Sequence, residues 1–181
     1  MGSAKIFSKI DLASGYYQIK IKDEDKHKTA LVTTNGTYVF NVMSFGFKNA
    51  PAFLQSLMNL VLGSLRNRCA IAYLDDILIY PNSVTQHIKN LEDVLIALSK
   101  ANLSLNKWKS SFSLSSVEYL RSIVSSAGIR PNLSKVKPIL ALLAPTNLKE
   151  LESILGVFGV YQRFLSQVQI TVEPLTTAHG V

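Results

Sequence analysis

The residues with the clearest chemical potential are two adjacent carboxylates, Asp75 and Asp76, inside the otherwise apolar run 70–80. The β-branched and aromatic residues on either side predict two short buried strands, 70–73 and 77–80, joined by a tight turn. Two ionised carboxylates at such a tip repel each other unless a cation lies between them. Magnesium, which binds oxygen ligands and substrate phosphates, is the simplest candidate. An Asp-Asp pair between strands is more often only a turn, so the rest of the chain must decide.

A third carboxylate, Asp11, closes another predicted strand, 6–12. If that strand lies beside the acidic hairpin in a sheet, Asp11, Asp75 and Asp76 converge. Three carboxylates are the minimum for two magnesium ions about 3.5–4 Å apart, which activate an attacking hydroxyl and bridge a triphosphate. The sequence alone does not establish that these strands are neighbours.

The elements that must position these carboxylates are interleaved strands and helices. Asn35-Gly36 between the β-rich segments 29–32 and 37–42 predicts a hairpin. Short β-like segments are predicted at 103–105, 112–114 and 117–124. Caps and apolar spacing predict helices over 49–65, 84–98, 134–143 and 146–165. Together they predict an α+β fold, an antiparallel sheet with helices on one face and a helical appendage at the end.

Two details of these helices are specific enough to be tested. Asn49 and Thr146 are the predicted caps of the first and last helices. The second helix has an amphipathic stripe predicted to face the core, formed by Val84, Ile88, Leu91, Leu95 and Leu98.

Composition narrows the classes of function. The chain has 181 residues, of which 48% are hydrophobic and 17% charged, so it can bury a substantial core. A formal net charge of +7 favours a polyanionic partner, nucleic acid before an anionic membrane. Cys69 is the one cysteine, which excludes a disulfide framework and a cysteine metal site. No signal peptide and no bilayer-spanning segment is recognised, so we expect an intracellular protein without a membrane partner.

Five segments resemble, in order and near the expected spacing, the motifs of the reverse transcriptases of gypsy-type LTR retrotransposons. Phe7–Ile19 resembles the first catalytic motif, and Val42–Gln55 resembles the template- and nucleotide-binding motif that follows it. Tyr73–Leu78 matches the Tyr-x-Asp-Asp box. Val117–Ile129 resembles the primer grip and Leu151–Leu165 the thumb segment. The similarity extends from about residue 7 to residue 175, and this ordered set outweighs the interpretation of Asp75-Asp76 as a plain turn.

The resemblance implies roles for the acidic positions and one lysine. Asp11 and Asp75 would bind two Mg²⁺ ions, with Mn²⁺ as a substitute, and Asp76 would complete the acidic cluster. Lys109 falls near the family's lysine that protonates the pyrophosphate leaving group, with an exposed surface lysine as the alternative.

Substrate contacts are implied in the same way. Tyr16 would stack under the incoming sugar and exclude a ribose 2′-hydroxyl, thereby choosing deoxynucleoside triphosphates; its alternative is a core aromatic. Phe45 and Gly46 would pack near the nascent base pair, and Gln55 would support that site from the helix. Contacts to an RNA or DNA template-primer are implied for Tyr73, Tyr119, Leu120 and Arg163.

The family's fold would make residues 1–130 a polymerase palm with partial fingers, whose hairpin covers about 28–43. Residues 131–175 would form a thumb-like helical segment and 176–181 a tail. Only ten residues precede Asp11, where the family has fingers with basic residues that hold the triphosphate. Ser44 stands where the family usually has Pro, and Arg121-Ser122 where it usually has Gly-His. The interpretation is therefore a piece of a longer polyprotein, with little polymerase activity expected of the isolated chain.

The implied reaction is RNA-directed DNA polymerisation, the template-directed, two-metal transfer of deoxynucleotides to a primer 3′-hydroxyl. The alternative is a catalytically silent retroelement relic that binds nucleic acid or a protein partner. An RRM-like RNA binder would have a similar layout, but its aromatic signature is absent from the sequence.

Overall fold

The computed structural model describes residues 4–81 and 83–164, so the predicted tail 176–181 and the end of the predicted segment 131–175 lie outside the described residues. In chain order the elements are β1 (Phe7–Asp11), β2 (Leu31–Thr33), β3 (Gly36–Tyr38), α1 (Ala50–Leu62), β4 (Ala70–Tyr73), β5 (Asp76–Ile79), α2 (Val84–Lys100), β6 (Ser111–Leu114), β7 (Ser116–Tyr119), β8 (Ser122–Ser125), β9 (Gly128–Pro131), α3 (Leu133–Leu140) and α4 (Leu148–Tyr161). Short 3₁₀ turns occur at Gly15–Gln18, Asp23–Thr29, Gly63–Leu65 and Gln162–Phe164.

Three sheets organise these strands. The main sheet has four strands in the order β4-β5-β1-β6, and all three pairings are antiparallel. The predicted hairpin is present as the two-stranded sheet β2-β3, which turns at Thr34-Asn35. The strands β7, β8 and β9 form a third sheet in that order. The sheet order places β1 beside β5, the neighbour relation that the sequence could not establish.

The main sheet buries one face under both long helices. Strand alternation sends every second side chain of β1 to this face, where it meets α1 and α2. The core there comprises Ile10, Leu12, Met43, Ala50, Leu54, Met58, Leu62, Ala70, Ile77, Ile79, Val94, Leu98 and Leu103. Leu54, Met58 and Leu62 are spaced at one helical turn along α1, and each contributes about 1.5–3 kcal/mol on full burial. The predicted α+β fold with helices on one face of an antiparallel sheet is confirmed.

The opposite face of the sheet has its own, smaller core. Phe7 of β1 and Leu78 of β5 pack there with Ala4, Val117, Tyr119 and Val124. The two faces of β1 therefore differ, because Phe7, Lys9 and Asp11 share this second face while the side chains between them point to the helices.

The predicted core stripe of α2 is wrong for its first half. Val84 and Ile88 are 61% and 63% exposed, whereas His87 and Asn90 are buried on the core side. The cause is a polar contact with the sheet: His87 Nε2 lies 2.7 Å from Ser8 Oγ, and both residues are completely or almost completely buried. This hydrogen bond rotates the start of α2 so that a histidine, not a leucine or valine, faces β1.

One of the two predicted helix caps is confirmed in position, and the other is displaced by one residue. Asn49 occupies the N-cap of α1, but its side chain makes no capping hydrogen bond. In α4 the cap is Asn147, whose Oδ1 accepts the Glu150 N–H at 2.9 Å. Thr146 contributes from one position earlier, since its N–H and hydroxyl both donate to Glu150 Oε2. The reciprocal contacts form a capping box displaced by one residue from the prediction.

The described chain divides into two compact units. The first comprises the residues up to Tyr119 together with Val124–Gly128, and the second comprises Leu120–Ile123 and the described residues from Ile129 onward. Within the described part of the chain, the helices are too short or too polar to cross a lipid bilayer.

Candidate active site at the tip of the four-stranded sheet

The acidic residues lie together at one end of the main sheet. Asp11 is the register partner of Asp76 across the β1–β5 pair, so both side chains lie on the same face. Asp75 occupies the turn between β4 and β5, and its carbonyl accepts the Leu12 N–H at 3.0 Å. The strands thus bring the third carboxylate to the acidic hairpin, as the sequence analysis required.

One lysine shares the face with these carboxylates. Lys9 lies two positions before Asp11 on β1, and its Nζ is 2.8 Å from Asp76 Oδ1. The side chains of Lys9 and Asp76 are each 23% exposed. The contact is an ion pair more than a directed hydrogen bond, because Asp76 Oδ1 has no aligned donor among the described residues. Lys9 therefore offsets part of the negative charge at the tip, a role that the sequence analysis missed.

The electrostatics of Asp11 follow from this crowding. Burial is the largest influence and raises the pKa of its carboxyl above the ordinary value of 3.8. The nearby Asp75 and Asp76 carboxylates raise this pKa further, while Lys109, followed by Lys9, lowers it. A cation added near Asp11 would therefore relieve its repulsion with Asp75 and Asp76 and favour the ionised form of its carboxyl.

The turn that carries Asp75 is held from α1 by Gln55. Its Oε1 accepts the Leu74 N–H at 2.9 Å, and its Nε2 donates to the Ala72 carbonyl at 3.1 Å. Leu74 has a positive φ of 55°, a conformation that costs a non-glycine residue about 1–2 kcal/mol. One hydrogen bond is made by the strained residue itself and the other by Ala72, so Gln55 helps to fix the hairpin tip.

Gly15 allows the turn to come close to the first motif. A Cβ atom at Gly15 would lie 3.3 Å from Asp75 Cβ and 3.4 Å from Leu54 Cδ2. Such contacts are tighter than ordinary packing, so any side chain at this position would push the acidic turn or α1 away. The signal in the sequence was the glycine four residues after Asp11.

The carboxylate oxygens suit magnesium, but the three carboxylates do not converge on one point. Among the described residues, no group of three His, Cys, Asp or Glu side chains converges closely enough to hold a metal ion. Asp76 is turned toward Lys9, which leaves Asp11 and Asp75 as the available oxygen donors. Magnesium is commonly bound by one or two carboxylates plus substrate phosphates, so an incomplete protein cage fits this ion.

An aromatic cluster lies beside the first motif. Tyr16 is half-buried, packs against the main core and meets Phe45 edge-to-face, with ring centroids 5.0 Å apart. Tyr17 contacts the same ring at 5.6 Å, and Phe45 itself is 64% exposed. Gly46 follows with a positive φ of 92° and no atom within 4 Å of where a Cβ would stand. The cluster therefore combines an anchored tyrosine with an open, exposed rim.

The remaining predicted residues differ in accessibility. Tyr73, directly before the turn, is 53% exposed and free to meet a ligand. Tyr119 is only 6% exposed and packs with Phe7 and Leu78, so its side chain is not a surface for nucleic acid; this corrects the predicted contact. Leu120 is partly exposed with a positive φ of 46°. The side chain of Arg163 lies outside the described residues.

Lys109 belongs to the turn 106–110, which is bonded to the backbone of Asp11. The Asn106 N–H donates to the Asp11 carbonyl at 2.7 Å, and the Asp11 N–H donates to Ser110 Oγ at 3.2 Å. Asn106 Oδ1 also accepts the Lys109 N–H at 3.2 Å. The exposed Lys109 is thereby carried by the same structure that positions the Asp11 carboxylate. The sequence analysis missed Asn106 and Ser110, for which the polar sequence around Lys109 was the available signal.

Comparisons with known proteins agree with this arrangement. A family model described as reverse transcriptase (RNA-dependent DNA polymerase) matches residues 1–124. The Retrovirus-related Pol polyprotein from transposon opus of Drosophila melanogaster is 40% identical over 176 residues, 97% of this chain and 18% of that polyprotein. The Transposon Tf2-3 polyprotein of Schizosaccharomyces pombe is 34% identical over 170 residues, 94% of this chain and 13% of the polyprotein.

Solved structures share the fold. A foamy viral protease-reverse transcriptase in complex with dsDNA superposes with a TM-score of 0.83 at 28% identity, over 96% of this chain and 36% of that one. The same kind of protein in complex with an RNA/DNA hybrid gives a TM-score of 0.82 at 27% identity, over 96% of this chain and 23% of that one. The chain spans less than a fifth of the curated polyproteins reported above. Together, these matches establish that the chain belongs to the reverse transcriptase (RNA-dependent DNA polymerase) family and is related to the Pol polyproteins of retrotransposons.

Proposed function

We propose that this chain is the catalytic part of a gypsy-type LTR-retrotransposon reverse transcriptase, which adds deoxynucleotides to a primer 3′-hydroxyl on an RNA or DNA template. The observation that carries the proposal is the register pairing of Asp11 with Asp76 beside the Asp75 turn. Residues 1–130 then correspond to the palm with a fingers hairpin at about 28–43, and 131–175 to the start of the thumb.

Asp11 and Asp75 would hold two divalent cations, with Asp76 completing the acidic set; Mg²⁺ is the proposed ion and Mn²⁺ the substitute. Bound there, the cations would activate the primer hydroxyl and neutralise the triphosphate. Burial, followed by the like charge of its acidic neighbours, raises the pKa of the Asp11 carboxyl, so a bound cation would favour its ionised form. Lys109, whose charge acts on Asp11, would supply a proton to the leaving pyrophosphate.

The aromatic cluster would select the nucleotide. Tyr16 is supported from below by the main core, so its ring can form a fixed floor under the sugar and exclude a 2′-hydroxyl. Phe45 and Gly46 would lie along the nascent base pair, and Gln55 would keep the tip in place. Tyr73 would contact the primer-template backbone. The foamy viral neighbours in complex with dsDNA and with an RNA/DNA hybrid support a template-primer as the partner.

The test is primer extension by the purified chain on an RNA and on a DNA template, with Mg²⁺ or Mn²⁺. We expect weak but measurable extension by the wild type, in keeping with the little activity expected of the isolated chain. We expect none above background for Asp75→Asn, because the substitution removes one anionic metal ligand. Asp93→Asn is the matched control, since Asp93 is on α2, on the other side of the main sheet. Equal extension by Asp75→Asn, or no extension by the wild type with either metal, would refute the proposal.

A second function is favoured by the Lys9–Asp76 ion pair, which occupies one of the three carboxylates. A chain in which this pair replaces metal binding would be a silent retroelement relic that binds nucleic acid or a protein partner. Salt-dependent nucleic-acid binding without metal-dependent extension would favour this alternative. Recovery of extension in Lys9→Gln alone would identify the ion pair as the block.

A further inference from the structure

The most exposed large apolar side chain in the described part of the chain belongs to Trp108, which is 90% exposed. It is also the single tryptophan of the sequence. Single exposed apolar residues are ordinary on protein surfaces, but an indole offers a flat aromatic face of a size suited to a nucleobase. The Lys107 ammonium lies 6.0 Å from the centre of this ring, so an aromatic plane and a cation are presented side by side.

The turn that carries Trp108 is unusually well fixed for an exposed segment. Asn106 Oδ1 accepts the Trp108 N–H at 3.1 Å, and Ser110 N–H donates to the Asn106 carbonyl at 3.0 Å. As described above, Asn106 and Ser110 are both bonded to the backbone of Asp11. A preorganised backbone lowers the entropic cost of binding by an aromatic anchor.

The surroundings favour an anionic partner. Lys107 and Lys109 flank the ring in sequence and are both exposed, and no acidic residue interrupts the segment 101–117. Aromatic rings with adjacent cations are the arrangement by which proteins hold nucleic-acid strands, since bases stack and phosphates pair with lysine. The turn is also close enough to the acidic tip for Lys109 to act on Asp11.

We propose that Trp108 stacks on a nucleobase of a nucleic-acid strand that passes the acidic tip, while Lys107 pairs with a phosphate of that strand. This inference rests on the proposed function, because it takes the template-primer as the partner. It adds a contact that the motifs of the sequence do not include.

Intrinsic fluorescence tests the contact directly, because all tryptophan emission comes from this residue. The full chain is titrated at low salt with a primer-template oligonucleotide, and separately with a deoxynucleoside triphosphate. We expect saturable quenching by the oligonucleotide only. In anisotropy assays with labelled oligonucleotide, Trp108→Ala should bind roughly 5- to 150-fold more weakly, and Trp108→Phe should bind almost as well as the wild type. Lys107→Ala should lower the slope of log affinity against log salt by about 1.

A matched control places the single tryptophan at a different surface site. Ile88 is exposed on α2, on the side of the sheet away from the acidic face, so the double variant Trp108→Phe/Ile88→Trp should bind without quenching. Unchanged affinity in Trp108→Ala, or quenching in that double variant, would overturn the inference and leave the proposed function intact. Equal quenching by the triphosphate alone would also overturn it. Absence of oligonucleotide binding would overturn both, whereas quenching without primer extension would refute only the polymerase.

Discussion

The turn between β7 and β8 contains a strained arginine, and we predict that Arg121→Gly stabilises the protein. Leu120 and Arg121 both have positive φ angles, 46° and 65°, a region in which a side chain costs about 1–2 kcal/mol. Glycine adopts this conformation without a Cβ penalty. The Arg121 carbonyl accepts the Asn132 N–H at 3.1 Å, a backbone contact that the substitution retains.

The magnitude follows from two opposing effects. Relief of the strain gains about 1–2 kcal/mol, and the greater freedom of glycine in the unfolded chain costs about 0.5–1 kcal/mol. The net increase in the free energy of unfolding is therefore between about 0 and 1.5 kcal/mol, centred on about 0.75 kcal/mol.

Arg130→Gly is the matched control, because Arg130 is also exposed but belongs to β9 and has no positive φ. It removes the same charge and adds the same unfolded-state freedom without relieving strain, so it should lose about 0.5–1 kcal/mol. The difference between the variants, about 1–2 kcal/mol, isolates the strain. Urea unfolding followed by far-UV circular dichroism measures both. If Arg121→Gly is no more stable than Arg130→Gly, the strain argument is wrong.

Two further predictions concern the polar contacts that α1 and α2 make with the main sheet. Gln55→Ala removes the hydrogen bonds to Leu74 and Ala72, so the free energy of unfolding should fall by about 1–3 kcal/mol, and kcat for primer extension should fall with it. Ser56→Ala is the matched control one position along α1, because it removes only an exposed hydrogen bond to the Ala52 carbonyl and should change stability by less than about 0.5 kcal/mol. Equal losses in the two variants would contradict the role assigned to Gln55. Burial lowers the pKa of His87 below its ordinary value of 6.5, so the folded state resists protonation and stability should decline as pH falls below 6.5. Urea unfolding across this range should show the decline in the wild type and in the exposed-site control His27→Gln, and a smaller decline in His87→Gln; identical pH profiles for all three would exclude His87 as the cause.

The acidic hairpin and its partner strand were predictable because short-range signals determine them. Apolar runs on both sides of Asp75-Asp76 specify two strands and a tight turn, and a resemblance extending over ordered motifs places Asp11 beside them. Neither the apolar pattern nor the resemblance predicts how the side chains at the hairpin tip are oriented. The ion pair of Lys9 with Asp76 depends on the register of β1 against β5, which is a long-range property.

The errors in α2 have a similar origin. Periodicity detects apolar residues, and it placed Val84 and Ile88 in the core although a second, polar-containing stripe lies one position away. His87 is buried because Ser8, 79 residues earlier in the chain, supplies its hydrogen-bond partner. The motif likewise implied a contact of Tyr119 with the template-primer, whereas Tyr119 packs with Phe7 and Leu78 in the second core. A sequence pattern within one segment cannot predict contacts between residues that are distant in the chain.

The hydrogen bonds between the turn 106–110 and Asp11 constrain the length of this segment more than the side chains of its exposed residues. Both bonds to Asp11 are made through residues 106 and 110, so an insertion or deletion between them would displace the strand that carries Asp11. The side chains of Lys107 and Trp108 are exposed and make none of these bonds, and Trp108 and Lys109 contribute to the turn through their backbone N–H groups. Side chains at 107 and 108 could therefore change between related elements that use different templates while the spacing of the turn stays constant.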